Sequence, residues 1–207
     1  MDELGLQFTP ELKTPEVAMP FPDPSSSFTQ SAYAQVMLDE FKAAKIHPSR
    51  VWPQSFLYAD VLYWLKAEPS FGRQAILLDE SADTGPVGES IKNLTRYTKD
   101  GVKIIAPTLP YLVTVNNKTG EIIPSEYANK TKELGLQIIT WTLERSGWLG
   151  DGSGGGYYFE GVKNEIKREG DVYKLLHVLA NDVGVKGVFS DWSGTVTFYA
   201  NCLGLVW

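Results

Sequence analysis

The sequence predicts an α/β protein built on a parallel sheet, and three observations support this fold class. Short apolar segments alternate with segments of helical periodicity along most of the 207 residues. Residues 74–80 form a continuous apolar run that ends in two carboxylates, which is typical of a buried parallel strand opening on a polar site. Neither an internal repeat nor a linker divides the chain. We therefore expect a single domain over residues 1–207, with right-handed crossovers between its strands.

The first half of the chain opens with a predicted strand over residues 8–15, which ends in a loop closed by Pro15. A helix is predicted over residues 30–44, because Thr29 is a suitable N-cap. Its predicted apolar face consists of Tyr33, Val36, Met37 and Phe41. The next predicted elements are a strand over residues 50–56, a helix over 58–67 with Val61, Leu62 and Leu65 inward, the strand over 74–80, and a short helix over 89–97.

The second half continues the same alternation and adds one hairpin-like segment. Residues 113–124 are predicted to form a turn or small hairpin, because an Asn-Asn-Lys-Thr-Gly sequence lies at their centre. Gly135 is the predicted C-terminal stop of a helix over residues 126–134. The other predicted elements are strands over 102–107, 136–142 and 185–192, a helix over 171–183 with Leu175, Leu176 and Leu179 inward, and a closing helix over 195–202.

Two parallel architectures compete for this order of elements. A Rossmann sheet would need a glycine fingerprint between a strand and a helix, and the sequence has none. A (β/α) barrel places functional residues at the C-terminal ends of its strands. In this sequence those ends carry Glu11 and Lys13, Ser55 and Phe56, Asp79 and Glu80, Trp141, and Asp191 and Trp192. A barrel therefore fits better, although about six strand candidates are too few for its eight strands.

Charge and hydropathy exclude two classes of partner. The formal net charge of -6 and the absence of a basic stripe argue against nucleic acid. No apolar run approaches the ~20 residues that a membrane-spanning helix needs. The residues after Met1 are acidic and mixed, so they do not predict a signal peptide.

Cysteine usage and glycosylation patterns bound the chemistry further. The single Cys202 excludes an internal disulfide and a metal site made of several cysteines. Glycosylation sequons at Asn93, Asn117 and Asn129 would permit a secreted parent protein, although such tripeptides also arise by chance.

The pair Glu11 and Lys13 is the first candidate functional site. Residues two apart on a strand point to the same side, so this carboxylate and this ammonium share one face while Leu12 points to the other. Read from these residues alone, the pair serves equally well as a solvated ion pair on an exposed edge strand and as part of a polar site.

Four segments, taken together, resemble a known family. Residues 10–15 (PELKTP), 54–56 (QSF), 140–143 (TWTL) and 184–192 (GVKGVFSDW) occur in the order and spacing seen in glycerophosphodiester phosphodiesterases. The glycine and tyrosine residues at 154–158 and the ending at 197–201 resemble the longer periplasmic or secreted branch of that family.

The resemblance implies a fold, a reaction and a set of site residues. The family fold is a (β/α)8 barrel. Members of the family hydrolyse glycerophosphodiesters to glycerol 3-phosphate and an alcohol, generally with Ca²⁺ or Mg²⁺. The resemblance therefore also implies a role in lipid and glycerol metabolism. By resemblance, Glu11 is a metal ligand and Lys13 is the catalytic lysine that faces the substrate phosphate. Both roles suit the chemistry, since hard cations bind carboxylate oxygens and a phosphoryl transition state needs fixed positive charge. Trp141 and, with less support, Phe56 correspond to aromatic residues of the substrate pocket.

The resemblance also implies that much of the family's site lies upstream of Met1. The chain corresponds to about strands four to eight of the barrel, so the family's His-Arg pair, its other acidic ligands and its second histidine have no counterpart here. The two histidines of the chain, His47 and His177, fall outside the predicted strand ends. We predict that both are structural or exposed, and that residues 1–207 form one incomplete barrel domain that is inactive alone.

Three functions remain open on the sequence. The first is a metal-dependent phosphodiesterase acting on a small glycerophosphodiester. The second is a truncated relative that binds a ligand or partner without turnover. The third is another barrel hydrolase, such as a glycosidase that uses two of Glu11, Glu80 and Glu144. The resemblance implies a secreted or periplasmic parent, and the open edges of a partial barrel predict self-association.

Overall fold

The computed structural model of the protein describes residues 3–84, 87–143, 149 and 155–205. The chain folds as two compact units, one formed by Met1–Asp79 and Thr95–Ile105 and the other by Glu80–Leu94 and Ala106–Trp207. Two positions singled out in the sequence, Glu144 and Gly154, lie outside the described residues. The fold is α/β with parallel strand pairing in each unit, as the sequence predicts.

The first unit contains a short parallel sheet. Strand β1 (Gln54–Ser55) pairs in parallel with β2 (Ile76–Asp79), and β2 neighbours β3 (Ile104–Pro107), which contributes residues to both units. All four residues of β2 are buried, which confirms the buried strand predicted from its apolar run. Apolar burial of this kind is the main stabilising contribution to such a strand.

The segment around Glu11 extends the sheet on the other side of β1. It forms two isolated parallel bridges, from Phe8 to Val51 and from Glu11 to Gln54, instead of the continuous strand predicted over residues 8–15. Pro10 accepts a hydrogen bond from Gln54 N at 2.9 Å, but it has no N–H to donate. Proline within the segment therefore restricts the ladder to short pieces.

The helices predicted over residues 30–44 and 58–67 agree with their predicted bounds to within one residue, but the first of them buries a partly different face. Helix α1 (Gln30–Ala43) begins at Thr29, whose side chain accepts from Ala32 N, and α2 (Tyr58–Ala67) is followed by α3 (Pro69–Gly72). The buried residues of α1 are Ala34 and Leu38. Of the predicted face, Tyr33, Met37 and Phe41 are half-buried, but Val36 is 46% exposed, so the prediction is wrong for Val36.

Packing between α1 and α2 explains this difference. The indole Nε1 of Trp64 donates to the backbone oxygen of Ala34 at 3.1 Å. A small residue at position 34 allows the large buried ring of Trp64 to approach the helix backbone, and this fixes which side of α1 faces inward. On α2 the buried residues are Asp60, Val61 and Trp64, of which the sequence predicted only Val61.

The second unit contains the remaining strands. Strand β6 (Gln137–Thr140) neighbours β3 and pairs in parallel with β7 (Gly187–Val188). Strands β4 (Val113–Val115) and β5 (Ile122–Pro124) form an antiparallel hairpin, which confirms the turn or hairpin predicted there.

The helices of the second unit follow the predicted order. Gly135 has a φ of 70° directly after the helix that it was predicted to stop, a conformation that glycine adopts without steric cost. Leu175, Leu176 and Leu179 are buried as predicted. The helices are α4 (Ser81–Thr84), α5 (Val87–Lys99, shared between the units), α6 (Glu126–Glu133), α7 (Val172–His177) continued by a π-helix (Val178–Val183), and α8 (Ser193–Cys202).

No helix in the described part of the chain combines the length and the apolar character needed to cross a bilayer.

Candidate functional site

Glu11 and Gln54 are direct neighbours across the parallel pairing in the first unit. Leu12 N donates to Gln54 O and Gln54 N donates to Pro10 O, each at 2.9 Å, so Gln54 lies opposite Glu11. Residues directly opposite in a ladder place their side chains on the same face of the sheet. The carboxylate and the amide are thus held side by side by backbone hydrogen bonds.

Lys13 contacts the carboxylate from the solvent side. Its Nζ lies 2.8 Å from Glu11 Oε1, while the Lys13 side chain is 77% exposed and the Glu11 side chain 24% exposed. Oε1 is nevertheless buried and has no hydrogen-bond donor of suitable geometry among the described residues, so the contact with Lys13 is an ion pair without an aligned hydrogen bond. Such an exposed pair contributes little to stability, because solvent screens it and the lysine loses entropy.

Gln54 is the residue at this site that the sequence analysis did not select. It is only 5% exposed, and its Nε2 donates to Thr9 O at 3.3 Å. Its Oε1 is buried and, within the described residues, accepts no hydrogen bond. Leaving a buried acceptor unsatisfied costs about 1–3 kcal/mol. Of the two oxygens, Glu11 Oε1 is paired with Lys13 Nζ at 2.8 Å, so Gln54 Oε1 is the one without a partner among the described residues.

The next residue of the same segment, Ser55, has a structural role. Its Oγ donates to Asp60 Oδ2 at 2.8 Å and accepts from Leu57 N at 3.0 Å. Gln30 Nε2 donates to Asp60 Oδ1 at 2.9 Å, and burial nevertheless raises the pKa of Asp60 above its ordinary value. Ser55 therefore anchors the start of α2. The signal that indicates Asp60 in the sequence is an acidic residue in the first turn of the helix after that serine.

Phe56 follows β1 directly, in the first unit, and its side chain is half-buried. It therefore lies at the carboxyl end of the strand that carries Gln54, which is where the predicted barrel would place a substrate-contacting aromatic residue.

The oxygens of Glu11 and Gln54 suit a hard divalent cation in chemistry, but they are few. The described residues contain no grouping of three or more His, Cys, Asp and Glu side chains that could hold a metal. Ca²⁺ takes ~6–8 oxygen ligands, whereas Mg²⁺ keeps several waters and binds through one or two carboxylates together with substrate phosphates. The oxygens of Glu11 and Gln54 are therefore too few to make a Ca²⁺ site by themselves.

Trp141 lies in the second unit, where backbone contacts hold it at the end of β6. Its Nε1 donates to Ala106 O at 2.8 Å, and its own carbonyl accepts from Leu109 N at 2.9 Å. The ring is half-buried and meets the ring of Tyr158 edge to face, with centroids 6.2 Å apart. Tyr158 in turn meets Tyr157 at 5.1 Å, so Trp141 is one end of an aromatic row.

A carboxylate and two phenols lie in the same unit. The Tyr157 hydroxyl donates to Asp83 Oδ1 and lies 3.1 Å from Thr108 Oγ1. Burial, with the Asp83 bond second, raises the pKa of Tyr157 to about 12. Burial also raises the pKa of Tyr111, and the neighbouring Asp83 carboxylate raises it further. Both phenols stay protonated at neutral pH, and the Tyr157 hydroxyl is the hydrogen-bond donor to Asp83. Only the tyrosine pair after the glycine-rich segment indicates this cluster in the sequence.

Both histidines have partners outside the predicted strand ends. His47 precedes a short 3₁₀ helix (Pro48–Arg50), where its Nδ1 accepts from Ser49 N at 3.2 Å. His177 ends α7, and its Nδ1 lies 3.1 Å from the Tyr199 hydroxyl. Both rings are exposed, in agreement with the structural or exposed roles predicted from the sequence.

One curated protein is similar along nearly the whole chain. An extracellular protein of the fungus Arthroderma benhamiae is 41% identical over 208 residues, which cover 99% of this chain and 83% of that protein. No protein-family profile matches the sequence.

Two solved structures have a similar fold. A protein described as a glycerophosphoryl diester phosphodiesterase from Silicibacter pomeroyi superposes with a TM-score of 0.54 at 17% identity, over 86% of this chain and 46% of that one. A glycerophosphodiester phosphodiesterase from Parabacteroides distasonis superposes with a TM-score of 0.55 at 13% identity, over 95% of this chain and 58% of that one. The chain thus spans about half the length of these structures, and at such identities the similarity shows the fold alone.

Proposed function

We propose that this chain, which belongs to the same family as the extracellular protein of Arthroderma benhamiae, binds phosphodiesters as part of a glycerophosphodiester phosphodiesterase barrel. The proposed architecture is a barrel arc of about strands four to eight. The proposed reaction is hydrolysis of a glycerophosphodiester to glycerol 3-phosphate and an alcohol. The observation that carries this proposal is the buried carboxylate oxygen of Glu11 beside the exposed ammonium of Lys13.

Lys13 is the proposed phosphate-contacting residue. Its ammonium is held near the sheet by Glu11, yet its side chain is 77% exposed and can turn toward an incoming anion. A positive charge near the phosphoryl oxygens stabilises the negative charge that they carry in the transition state. In this role Lys13 contributes more to the rate of the chemical step than to substrate binding.

Glu11 is the proposed cation ligand, with its buried oxygen directed away from bulk solvent. A divalent cation bound there would polarise a phosphoryl oxygen as a Lewis acid. The Glu11 carboxylate also holds the Lys13 ammonium at the site and balances its positive charge.

Trp141 and Phe56 are each proposed to contact the substrate. Trp141 supports this role because its indole nitrogen is already bonded to Ala106 O, which holds the ring in one orientation. A fixed, half-buried aromatic surface suits the apolar part of a small organic ligand.

The 207-residue chain by itself is proposed to bind substrate with little or no turnover. Diester cleavage near neutral pH uses groups that take and give a proton, and histidine is the usual choice. The histidines of this chain are engaged elsewhere, His47 with Ser49 and His177 with Tyr199. Loss of general acid–base catalysis typically costs on the order of 10²–10⁴-fold in rate.

We also propose that the protein is secreted, since the similar fungal protein is named extracellular. Self-association through open sheet edges remains a proposal as well, because an unpaired edge offers backbone groups to a second chain.

The proposal is tested with glycerophosphocholine as substrate and an aryl glycoside as the alternative, each with Mg²⁺, with Ca²⁺ and with chelator. We expect the wild-type chain to bind glycerophosphocholine and Glu11→Gln to bind it more weakly. We expect the wild-type chain to hydrolyse glycerophosphocholine no faster than Glu11→Ala does. Glu16→Gln is the matched control, because Glu16 is exposed, lies five residues after Glu11, and belongs to neither a strand nor a helix.

Each alternative gives a different result. Release of the aryl group without diester binding would favour a glycosidase and contradict the proposal. Glu11-dependent turnover of the diester by a monomeric preparation would overturn the claim of inactivity while supporting the reaction.

A further inference from the structure

The three glycosylation sequons of the sequence lie in different settings in the fold. The Asn117 sequon lies in the turn between β4 and β5, whereas the Asn93 sequon lies within α5 and the Asn129 sequon within α6. An N-linked glycan is a bulky, hydrated group, so the asparagine that carries it has to lie on the surface of the folded protein. The three positions are therefore not equally suitable as acceptors.

The turn that carries Asn117 is exposed along its length. All residues from 117 to 121 are exposed, and they include Thr119, whose hydroxyl is the second part of the sequon. Thr119 Oγ1 donates to Glu121 Oε2 at 2.9 Å, which is a contact between two exposed side chains. An enzyme can therefore approach both the amide and the hydroxyl of this sequon from solvent.

The hydrogen bonds that shape the turn are made by Asn116, the residue before the sequon. Asn116 N donates to Glu121 O at 2.9 Å, and Gly120 N donates to Asn116 O at 2.8 Å. The side-chain oxygen of Asn116 accepts from Lys118 N at 2.9 Å, which makes an Asx turn. A substituent on the amide nitrogen of Asn117 leaves all of these hydrogen bonds intact.

The other two sequons lie on helices, and part of each one is shielded from solvent. Asn93 is half-buried in α5 and precedes Leu94, which is fully buried. Asn129 is exposed on α6, but Thr131 is fully buried and its hydroxyl donates to Tyr127 O at 2.8 Å. Once these helices have formed, neither sequon offers both its amide and its hydroxyl to an enzyme.

We infer that Asn117 is the acceptor of an N-linked glycan. In the transfer, Asn117 Nδ2 bonds to C1 of a sugar that is activated as a lipid-linked oligosaccharyl diphosphate. The bond from C1 to the phosphate oxygen breaks, the lipid diphosphate leaves, and the amide gives up one proton. Nothing is oxidised or reduced in this step.

The inference rests on the proposed secretion, because the donor and its transferase act on chains that enter the secretory pathway. It is independent of phosphodiester binding. The position also bears on the proposed self-association, because β4 and β5 form a hairpin separate from the parallel sheet. A glycan at the tip of this hairpin would keep residues 117–121 out of any contact between chains.

The experiment is secretion of the full 207-residue chain from a eukaryotic host behind a secretion signal of that host. Treatment with an endoglycosidase that leaves one N-acetylglucosamine on each modified asparagine allows mass spectrometry to measure occupancy at each sequon. We expect a glycan on Asn117 in most molecules and lower occupancy at Asn93 and Asn129. An unmodified Asn117 in the secreted protein would overturn the inference, as would occupancy no higher than at either helical sequon.

Three variants test the sequon itself. Thr119→Ala keeps Asn117 but removes the hydroxyl, so it should lose the glycan, whereas Thr119→Ser keeps the hydroxyl and should retain it. Asn129→Gln is the matched control and should leave the occupancy at Asn117 unchanged. A glycan that persists on Asn117 in Thr119→Ala would contradict recognition of this sequon. Mapping of the wild-type protein decides the question even where a variant does not fold.

Failure of this inference is distinguishable from failure of the proposals on which it rests. Secreted protein with an unmodified Asn117 would overturn the glycan and leave secretion supported. A chain that carries the glycan on Asn117 but is retained inside the cell would support the acceptor and contradict the proposed secretion. Binding of glycerophosphocholine to the enzymatically deglycosylated protein tests the proposed function separately.

Discussion

The hydroxyl of Tyr157 donates a hydrogen bond to Asp83 Oδ1 across 74 residues of sequence. The same hydroxyl lies 3.1 Å from Thr108 Oγ1, so one phenol joins three segments of the second unit. Burial raises the pKa of Tyr157 to about 12, so the phenol keeps its proton and can donate this hydrogen bond at neutral pH.

We expect Tyr157→Phe to lose stability in a pH-dependent way. Removing the hydrogen bond should cost about 1 kcal/mol at neutral pH, since both partners are partly exposed. A folded-state pKa of about 12, raised from 10.0, means that the contribution is present below about pH 10 and lost as the pH rises through 12. Urea unfolding of both proteins from pH 8 to 12 measures this, and a difference constant over that range would contradict the prediction.

Asp60 should make stability depend on pH in the acidic range. Burial raises its pKa in the folded protein, so its contribution is full below the unfolded value of about 3.9 and is lost as the pH rises through the folded value. Relative to the wild type, Asp60→Asn should therefore have a lower free energy of unfolding at pH 4 than at pH 7. Denaturant unfolding at the two pH values gives the comparison.

Asp39→Asn is the control for Asp60, with the opposite sign. A hydrogen bond from Gln35 lowers the pKa of the exposed Asp39, so its contribution is present above the unfolded value and is lost as the pH falls. If the free energy of unfolding changed with pH in the same way for both variants, neither carboxyl would be the source of the pH dependence, and the prediction would be contradicted.

Gly72 should tolerate no side chain. A Cβ added at Gly72 would lie 2.3 Å from the backbone oxygen of Trp64, and backbone cannot move aside cheaply. We expect Gly72→Ala to lower the free energy of unfolding by about 1–3 kcal/mol. Gly88→Ala, within α5 and with no atom within 4 Å of the added Cβ, should be neutral or stabilising. Thermal unfolding of both variants tests the packing of α2 against the chain that follows it.

Lys13 should strengthen phosphate binding modestly. We expect Lys13→Ala to weaken the binding of glycerol 3-phosphate several-fold at low ionic strength. The loss of affinity should be smaller in 0.5–1 M salt, because the Debye length falls to roughly 3–5 Å there and salt screens the lysine charge. Lys66→Ala is the matched control, because Lys66 is an exposed lysine of the same unit. In any preparation with turnover, Lys13→Ala should lower kcat more than it raises KM. Equal binding by the two alanine variants would reject the role of Lys13.

The local sequence determined most helix bounds and the buried strands of this protein. The bounds of α2 agree with the prediction, the N-cap of α1 is Thr29, and β2 is buried along its length. These features depend on residues close together in sequence, through capping, helical periodicity and apolar runs, so periodicity and residue type suffice to predict them. The resemblance of four ordered segments likewise predicted the fold that the solved structures share.

Only the tertiary structure decided which side chains meet. The sequence placed Val36 on the buried face of α1, but the approach of Trp64 to Ala34 turned that face elsewhere. Pairing between chain segments, which no local pattern encodes, brought Gln54 opposite Glu11. Buried polar atoms are satisfied or left open by neighbours distant in sequence. The Gln54 oxygen beside Glu11, which has no hydrogen-bond partner among the described residues, could therefore be recognised only once the two segments were in register.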